Sequence, residues 1–381
     1  MSELLRIRSD RILTPDGWVD GVVTVEQGKI TSVIPGGREA DLDYTGKVLL
    51  PGFIDMHTHG AGGHDFLHSS PAEVLAGCNF HLQHGTTTIL PTISAAPFAD
   101  MRKAVADIAE VMESGEALGN ILGAHMEGPY LSAAQCGAQC PDCITEPREA
   151  EYRSLMEGFG KYIARWTYAP ENDPDGAFAR YLSEKGVLVS AGHTDAKYPD
   201  MVTAIENGCK LITHLYSCTS TITRDHGFRS LGVIESAYLR DELFVEIIAD
   251  GKHLPADLLR LIVKLKGKER VALITDSLAI AGTDVTEGIM GATEFIVEDG
   301  VCKLRDRSAF AGSVATADRL VEVMVREAGF SLFDAVEMLT RIPAKILGLS
   351  KGQITPGYDA DLVVMDDDFS VQAVFVAGKL V

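Results

Sequence analysis

The stretch GVLVSAGHTDAKYPDMVTAIENGCKLITHL (186–215) sets two short apolar runs, GVLVSAGH and KLITHL, on either side of a helical stretch. Each run carries a histidine at its C-terminal end. The same rhythm extends in both directions. FIDMHTH (53–59), TTTILPT (86–92), NILGAHMEG (120–128) and RWTYAP (165–170) come before it, and LFVEIIADG (243–251) and VALITDS (271–277) follow. Amphipathic stretches such as DMRKAVADIAEVMES and PADLLRLIVKLKG lie between. Apolar strands alternating with helices indicate a buried parallel sheet. Eight such units favour a closed (β/α)8 barrel over an open doubly wound sheet. Neither a G-x-G-x-x-G nor a Walker sequence follows the first strand, so no dinucleotide or ATP site is expected.

The two ends read differently. LLRIRS, RILTPDG, GVVTVEQGKITSVIP and KVLLPG are short β-rich pieces separated by Gly and Asp turns, and so are GQITPGYDADLVVMD and SVQAVFVAGKLV at the C-terminus. The expected fold is therefore α/β. A TIM-like barrel over 52–350 carries a small β-sandwich formed by both termini, from 1–51 and 351–381. With 381 residues, 46% of them hydrophobic, the chain can build a large core. A net charge of -20 argues against nucleic acid as a partner, because phosphate backbones need clustered Lys and Arg. A small phosphorylated substrate stays possible, since a local pocket can oppose the global sign. MSELLRIRSD has no leader pattern and no apolar run reaches membrane length, so a cytoplasmic protein with no membrane partner is expected. Seven cysteines, at 78, 136, 140, 143, 209, 218 and 302, suit reduced thiols better than a disulfide framework.

Metal-competent residues fall at the strand ends, where barrel active sites are assembled. His57 and His59 close the first run, two residues apart and so on one side of the strand. Glu127, His193, His214 and Asp276 close four others. A lone histidine at a strand end is usually a cap or a surface residue. Five candidate ligands and an aspartate on one rim are hard to explain that way. Imidazoles and a carboxylate suit one or two divalent ions, zinc first, with iron, manganese or cobalt also fitting. Asp276 beside a water acidified by such an ion can take its proton and return it to a leaving nitrogen. The plainer reading makes Asp276 a turn residue before Ser277.

Seven blocks stand in order along the chain: PGFIDMHTHG (51–60), GAHMEGPYL (123–131), SAGHTDA (190–196), THLY (213–216), IIADGKH (247–253), LITDS (273–277) and AGS (311–313). In this order they resemble the N-acetylglucosamine-6-phosphate deacetylase family of the amidohydrolase superfamily, over most of the chain. H-x-H alone marks only the superfamily; E-G-P followed by H, H, ADGxH and TD is far more specific. The resemblance implies a metal-bearing barrel paired as a homodimer, cleaving the acetamide of an amino-sugar phosphate. It implies Glu127, His193 and His214 as the principal metal ligands and Asp276 as the acid–base residue. His57 and His59 would add a second metal position. It also implies that His253 reaches the sugar phosphate, in the family often from the neighbouring subunit. Gly62, Gly63, Gly128 and Gly312 match glycines that turn tightly or let backbone approach the ligand.

Three features depart from the family pattern. A substrate-contacting histidine after the E-G-P loop is replaced within CGAQ by Gln139, which donates a hydrogen bond but cannot carry a proton. The phosphate loop after THLY becomes SCTSTITRDHGFRS, with Ser217 and Cys218 at the expected positions. The phosphate-binding arginine has no clean match, and Arg224 or Arg229, with His226 nearby, is the candidate. Deacylation therefore transfers more securely than substrate identity. N-acetylgalactosamine 6-phosphate or another small N-acyl compound is the alternative substrate. A cyclic-amidase site with a carboxylated lysine is disfavoured because RWTYAP has no lysine. A catalytically silent, metal-stabilised binding protein is the alternative outside enzymes. Cys136, Cys140 and Cys143 have a spacing that could hold a structural metal, but no fourth ligand lies close in sequence, so ordinary reduced thiols are expected.

Overall fold

A computed structural model of the chain describes residues 4–290 and 293–381. All eight apolar runs form strands of one parallel barrel: β1 (Phe53–Thr58), β2 (Thr86–Ser94), β3 (Ala124–Glu127), β4 (Ile163–Tyr168), β5 (Leu188–Ala191), β6 (Cys209–Ile212), β7 (Phe244–Ile248) and β8 (Val271–Ile274). Each pairs in parallel with the next. The seam between last and first closes just past the strand ends. There the Asp276 N–H donates to the His57 carbonyl at 2.9 Å, and the His59 N–H to the Ser277 carbonyl at 2.7 Å. A helix follows every strand, and the two amphipathic stretches of the sequence become Phe98–Ser114 and Ala256–Lys266.

Side chains alternate along the strands and sort by face. On β4, Trp166 and Tyr168 point outward into the main core with Tyr130 and Phe178. Arg165 and Thr167, on the opposite face, join His125, Ser190, Thr213 and Glu246 in a polar interior. That interior departs from the branched aliphatic layers usual in such barrels.

Both termini lie in a single sheet, in the order Lys379–Leu380, Val371–Val376, Leu362–Met365, Val48–Pro51, Leu5–Thr14, Gly17–Glu26, Lys29–Pro35. Its inner residues, among them Ile7, Val23, Leu49, Leu362 and Phe375, form a separate apolar cluster. Gly52 joins sheet to barrel. Its N–H donates to the Asp361 carbonyl at 2.8 Å, and a Cβ there would meet Thr87 Oγ1 at 2.1 Å, so no larger residue fits. Two additions after the strands had no signal in the sequence reading. They are a hairpin (Thr223–Asp225 with Phe228–Ser230) and a four-stranded antiparallel sheet (Glu287–Met290, Thr293–Glu298, Val301–Leu304, Phe310–Gly312). Among the described residues no helix is long and apolar enough to cross a membrane.

His81, on the helix Pro71–Gln83, braces the end of β1. Its Nε2 lies 3.0 Å from Thr58 Oγ1 and 3.1 Å from the Gly60 carbonyl. Burial pushes its pKa down from 6.5 to about 4, against the pull of the Gly60 carbonyl. Between those values the unfolded chain binds a proton that the folded chain refuses. Stability therefore falls as pH drops through that window, by up to about 3 kcal/mol. His81→Gln is expected to flatten this dependence in thermal melts taken between pH 6.5 and 4. An unchanged slope would clear His81 of the effect.

Candidate active site

The strand ends bring the predicted residues together by bending the backbone. His193, His214 and Asp276 have φ of 48°, 28° and 46°, in the left-handed region that residues other than glycine seldom enter. Such strain persists only where the surroundings hold it, and it turns these side chains into the barrel mouth. His57 and Glu127 need no such turn, being inward-facing residues of β1 and β3, and His59 directly follows β1.

Glu127 is the hub. Its Oε1 lies 3.3 Å from His57 Nε2, 3.3 Å from His193 Nε2 and 3.0 Å from His214 Nε2, and its Oε2 lies 3.1 Å from His59 Nε2. Asp276 Oδ1 is 3.4 Å from His57 Nε2 and 3.3 Å from His59 Nε2. Two overlapping groups of three can hold a cation, His57–His59–Asp276 and His57–Glu127–His214.

The groups behind the imidazoles were not legible in the sequence, since two of them are backbone carbonyls. Nδ1 of His193 donates to the Gln135 carbonyl at 3.0 Å, and Nδ1 of His214 to the Ser217 carbonyl at 3.1 Å. Nδ1 of His59 meets the Ser94 hydroxyl at 2.9 Å. With those hydrogens committed, the Nε2 atoms of His193 and His214 face Glu127 lone pair against lone pair unless a proton or a cation stands between. Such outward tethering is how metal-binding histidines are ordinarily oriented.

Protonation expresses the same demand. Burial disfavours charge on His57, yet the Glu127 and Asp276 carboxylates override it and raise its pKa to about 10. His59 rises for the same reason, and His193 rises through Glu127 and Cys218, both against burial. Burial alone would raise Glu127 and Asp276, but the neighbouring imidazoles hold both well below the usual carboxylate range. The buried carboxylates thus draw protons onto His57, His59 and His193, whereas at His214 burial outweighs the pull of Glu127 and lowers the pKa. A divalent cation would supply the same positive charge, and this donor set of nitrogens and oxygens fits one.

A cavity of about 690 Å³ opens above the cage. Gln139, Ser217, Cys218, His253 and Gly312 line it, together with Ile289, Phe295 and Phe310 of the added sheet. Gln139 faces the cage as well as the cavity. Its Nε2 donates to Glu127 Oε2 at 2.6 Å and its Oε1 accepts from the Ala95 N–H at 2.8 Å. His253 is fixed by Nδ1 donating to Asp250 Oδ2 at 2.8 Å and rests on the Phe310 ring. Arg224 and Arg229 stand outside the wall, exposed and facing each other across the hairpin. Among the described residues the wall contains neither lysine nor arginine.

The seven cysteines are not all reduced thiols, contrary to the expectation from the sequence. Cys140 and Cys143 are joined as a disulfide, because the one-turn helix Pro141–Cys143 brings their Cα atoms to 5.3 Å. Cys78, Cys136, Cys209, Cys218 and Cys302 are free thiols. No three-residue cation group among the described residues includes a cysteine.

Gln139→Leu would remove the donor on Glu127 Oε2 and leave the buried Ala95 N–H unpaired. It is expected to weaken zinc retention against a chelator about 10- to 100-fold. Unaltered retention would show that Gln139 does not orient Glu127.

The sequence matches the amidohydrolase family over residues 48–381 and the composite domain of allantoinase over 6–49. The N-acetylglucosamine-6-phosphate deacetylase of Lysinibacillus sphaericus is 32% identical, covering 94% of this chain and 92% of that protein. The N-acetylgalactosamine-6-phosphate deacetylase of Shewanella sp. (strain ANA-3) is also 32% identical, covering 96% of this chain and 90% of that protein. Among solved structures, N-acetyl-D-glucosamine-6-phosphate deacetylase from Mycobacterium smegmatis superposes with a TM-score of 0.92 at 30% identity, covering 99% of this chain and 100% of that one. Geometry, sequence and architecture agree: the chain is a hydrolytic enzyme that belongs to the amidohydrolase family, within the group of the N-acetylglucosamine-6-phosphate deacetylases.

Proposed function

We propose that this enzyme hydrolyses the acetamide of N-acetylglucosamine 6-phosphate, releasing acetate and the amino-sugar phosphate. The observation that carries the reading is the contact of Asp276 with both first-strand histidines, beside Glu127, at the floor of a cavity large enough for a sugar phosphate. In this reading Glu127, His193 and His214 hold a divalent cation, zinc first, and His57 and His59 provide for a second. Such a cation, when bound, polarises the scissile carbonyl and acidifies a water.

Asp276 is the base. Held ionised by the surrounding imidazoles, it accepts a proton as the water oxygen attacks the carbonyl carbon. It then passes that proton to the amide nitrogen as the C–N bond breaks, so that acetate and the amine leave. His253, with Nδ1 committed to Asp250, presents its other nitrogen to the phosphate. Gly312, Ser217 and Cys218 offer close-lying backbone. Among the described residues the wall of one chain lacks Lys and Arg, so Arg224 or Arg229 of the exposed hairpin supplies the phosphate's counter-charge across a homodimer. Five free thiols favour a reducing compartment such as the cytoplasm. The segments 1–51 and 351–381 serve as the small domain and 52–350 as the catalytic barrel.

N-acetylgalactosamine 6-phosphate is the second reading, favoured by the equally similar Shewanella relative. Zinc-loaded protein assayed for acetate release should act on one or both phosphorylated sugars far better than on the unphosphorylated ones. Silence on the whole panel, with zinc bound, would reject deacetylation. Asp276→Asn is expected to keep its zinc and lose about 10²- to 10⁴-fold in turnover. Loss of zinc instead would make Asp276 chiefly a ligand.

A further inference from the structure

Beneath the cage lies a buried ion pair that the chemistry above leaves unused. Arg165 on β4 and Glu246 on β7 are each 0% exposed. The guanidinium grips the carboxylate with two N–H groups, Nη2 donating to Oε2 at 2.7 Å and Nη1 donating to Oε1. Ser190 Oγ at 3.0 Å, the Met56 carbonyl at 3.1 Å and Thr213 Oγ1 at 2.8 Å accept its other hydrogens. Neither partner can shift without breaking several of these bonds.

Stability does not explain such a pair. Desolvation offsets most of the attraction between buried charges, and apolar residues of similar volume commonly serve as well or better. What the pair faces is informative. Glu246 Oε2 lies 3.9 Å from Nδ1 of His57. Nδ1 is tethered in the other three cage imidazoles, whereas in His57 it is buried and has no hydrogen-bond partner among the described residues. A fixed carboxylate opposite favours the tautomer with its hydrogen on Nδ1, which leaves the Nε2 lone pair toward the cage. His125 packs edge-on to the same ring, with centroids 4.6 Å apart, and is itself held by Thr92 and Thr167. His57 is also the one residue common to both cation-competent groups.

We infer that Arg165 and Glu246 are positioning residues that hold the His57 imidazole in its cation-binding tautomer and orientation, a role that rests on the cage reading above. Glu246→Asp tests this by keeping the charge and the pairing with Arg165 while drawing the carboxylate back from His57. The double variant Arg165→Met/Glu246→Leu tests it by removing both charges at similar volume. Zinc affinity is read by chelator competition, with the melting temperature of the metal-free protein measured alongside.

Both variants are expected to melt close to the parent yet bind zinc at least about tenfold more weakly. Val23→Ala, in the core of the terminal sheet, should lower the melting temperature and leave zinc affinity at the parent value. Parental affinity in Glu246→Asp overturns the inference, whether or not the double variant folds. If neither variant folds, the pair is structural and the inference fails. A parent protein that takes up no zinc overturns the cage reading and this inference together. Normal uptake by the parent with unchanged variants overturns this inference alone.

Discussion

A carboxylate that is 1% exposed needs positive charge or hydrogen-bond donors around it, and Glu127 is met by both. Four imidazoles and the Gln139 amide converge on its two oxygens from four separate segments of chain. That convergence explains much of the surrounding architecture. The strand ends must bend, the loops must supply carbonyls behind the rings, and the barrel interior must turn polar below them. Left as a bare carboxylate among neutral rings, the centre would be a destabilising defect. With balancing charge it becomes a centre in which both carboxylate oxygens are engaged.

The bends show where that organisation costs free energy. Each non-glycine residue in the left-handed region carries a penalty of about 1 kcal/mol or more. Three of the six cage residues sit there. Strain gathered at the C-terminal rim while the strands below stay regular is consistent with a scaffold that fixes these side chains before any ligand arrives.

Legibility in the sequence followed the range of the physical signal. The eight barrel strands were readable because burial on both faces leaves a local apolar run, as in VALITDS and LFVEIIADG. The cage residues were readable because each closes such a run. The added sheet at 287–312 was not, since its strands flank the cavity in short pieces without a long apolar run. Gln139 reads as a substrate contact and does line the cavity, but its bond to Glu127 depends on a loop path that residue order does not reveal. The Cys140–Cys143 bridge was missed because general composition outweighed a local turn. Glu246 stood in plain sight within LFVEIIADG, but a lone charge in a buried strand has no meaning until its partner, 81 residues away, is placed.

The seam of the barrel has a temporal consequence. His57 and Asp276 touch one another, and their own backbones help to zip the first strand to the last. During synthesis the early histidines emerge long before the aspartate that completes their triad. The nascent polypeptide therefore lacks that triad until residue 276 has left the ribosome and the cylinder has closed. An ion held by all three groups would be fully gripped only once the last strand has joined the first along that seam.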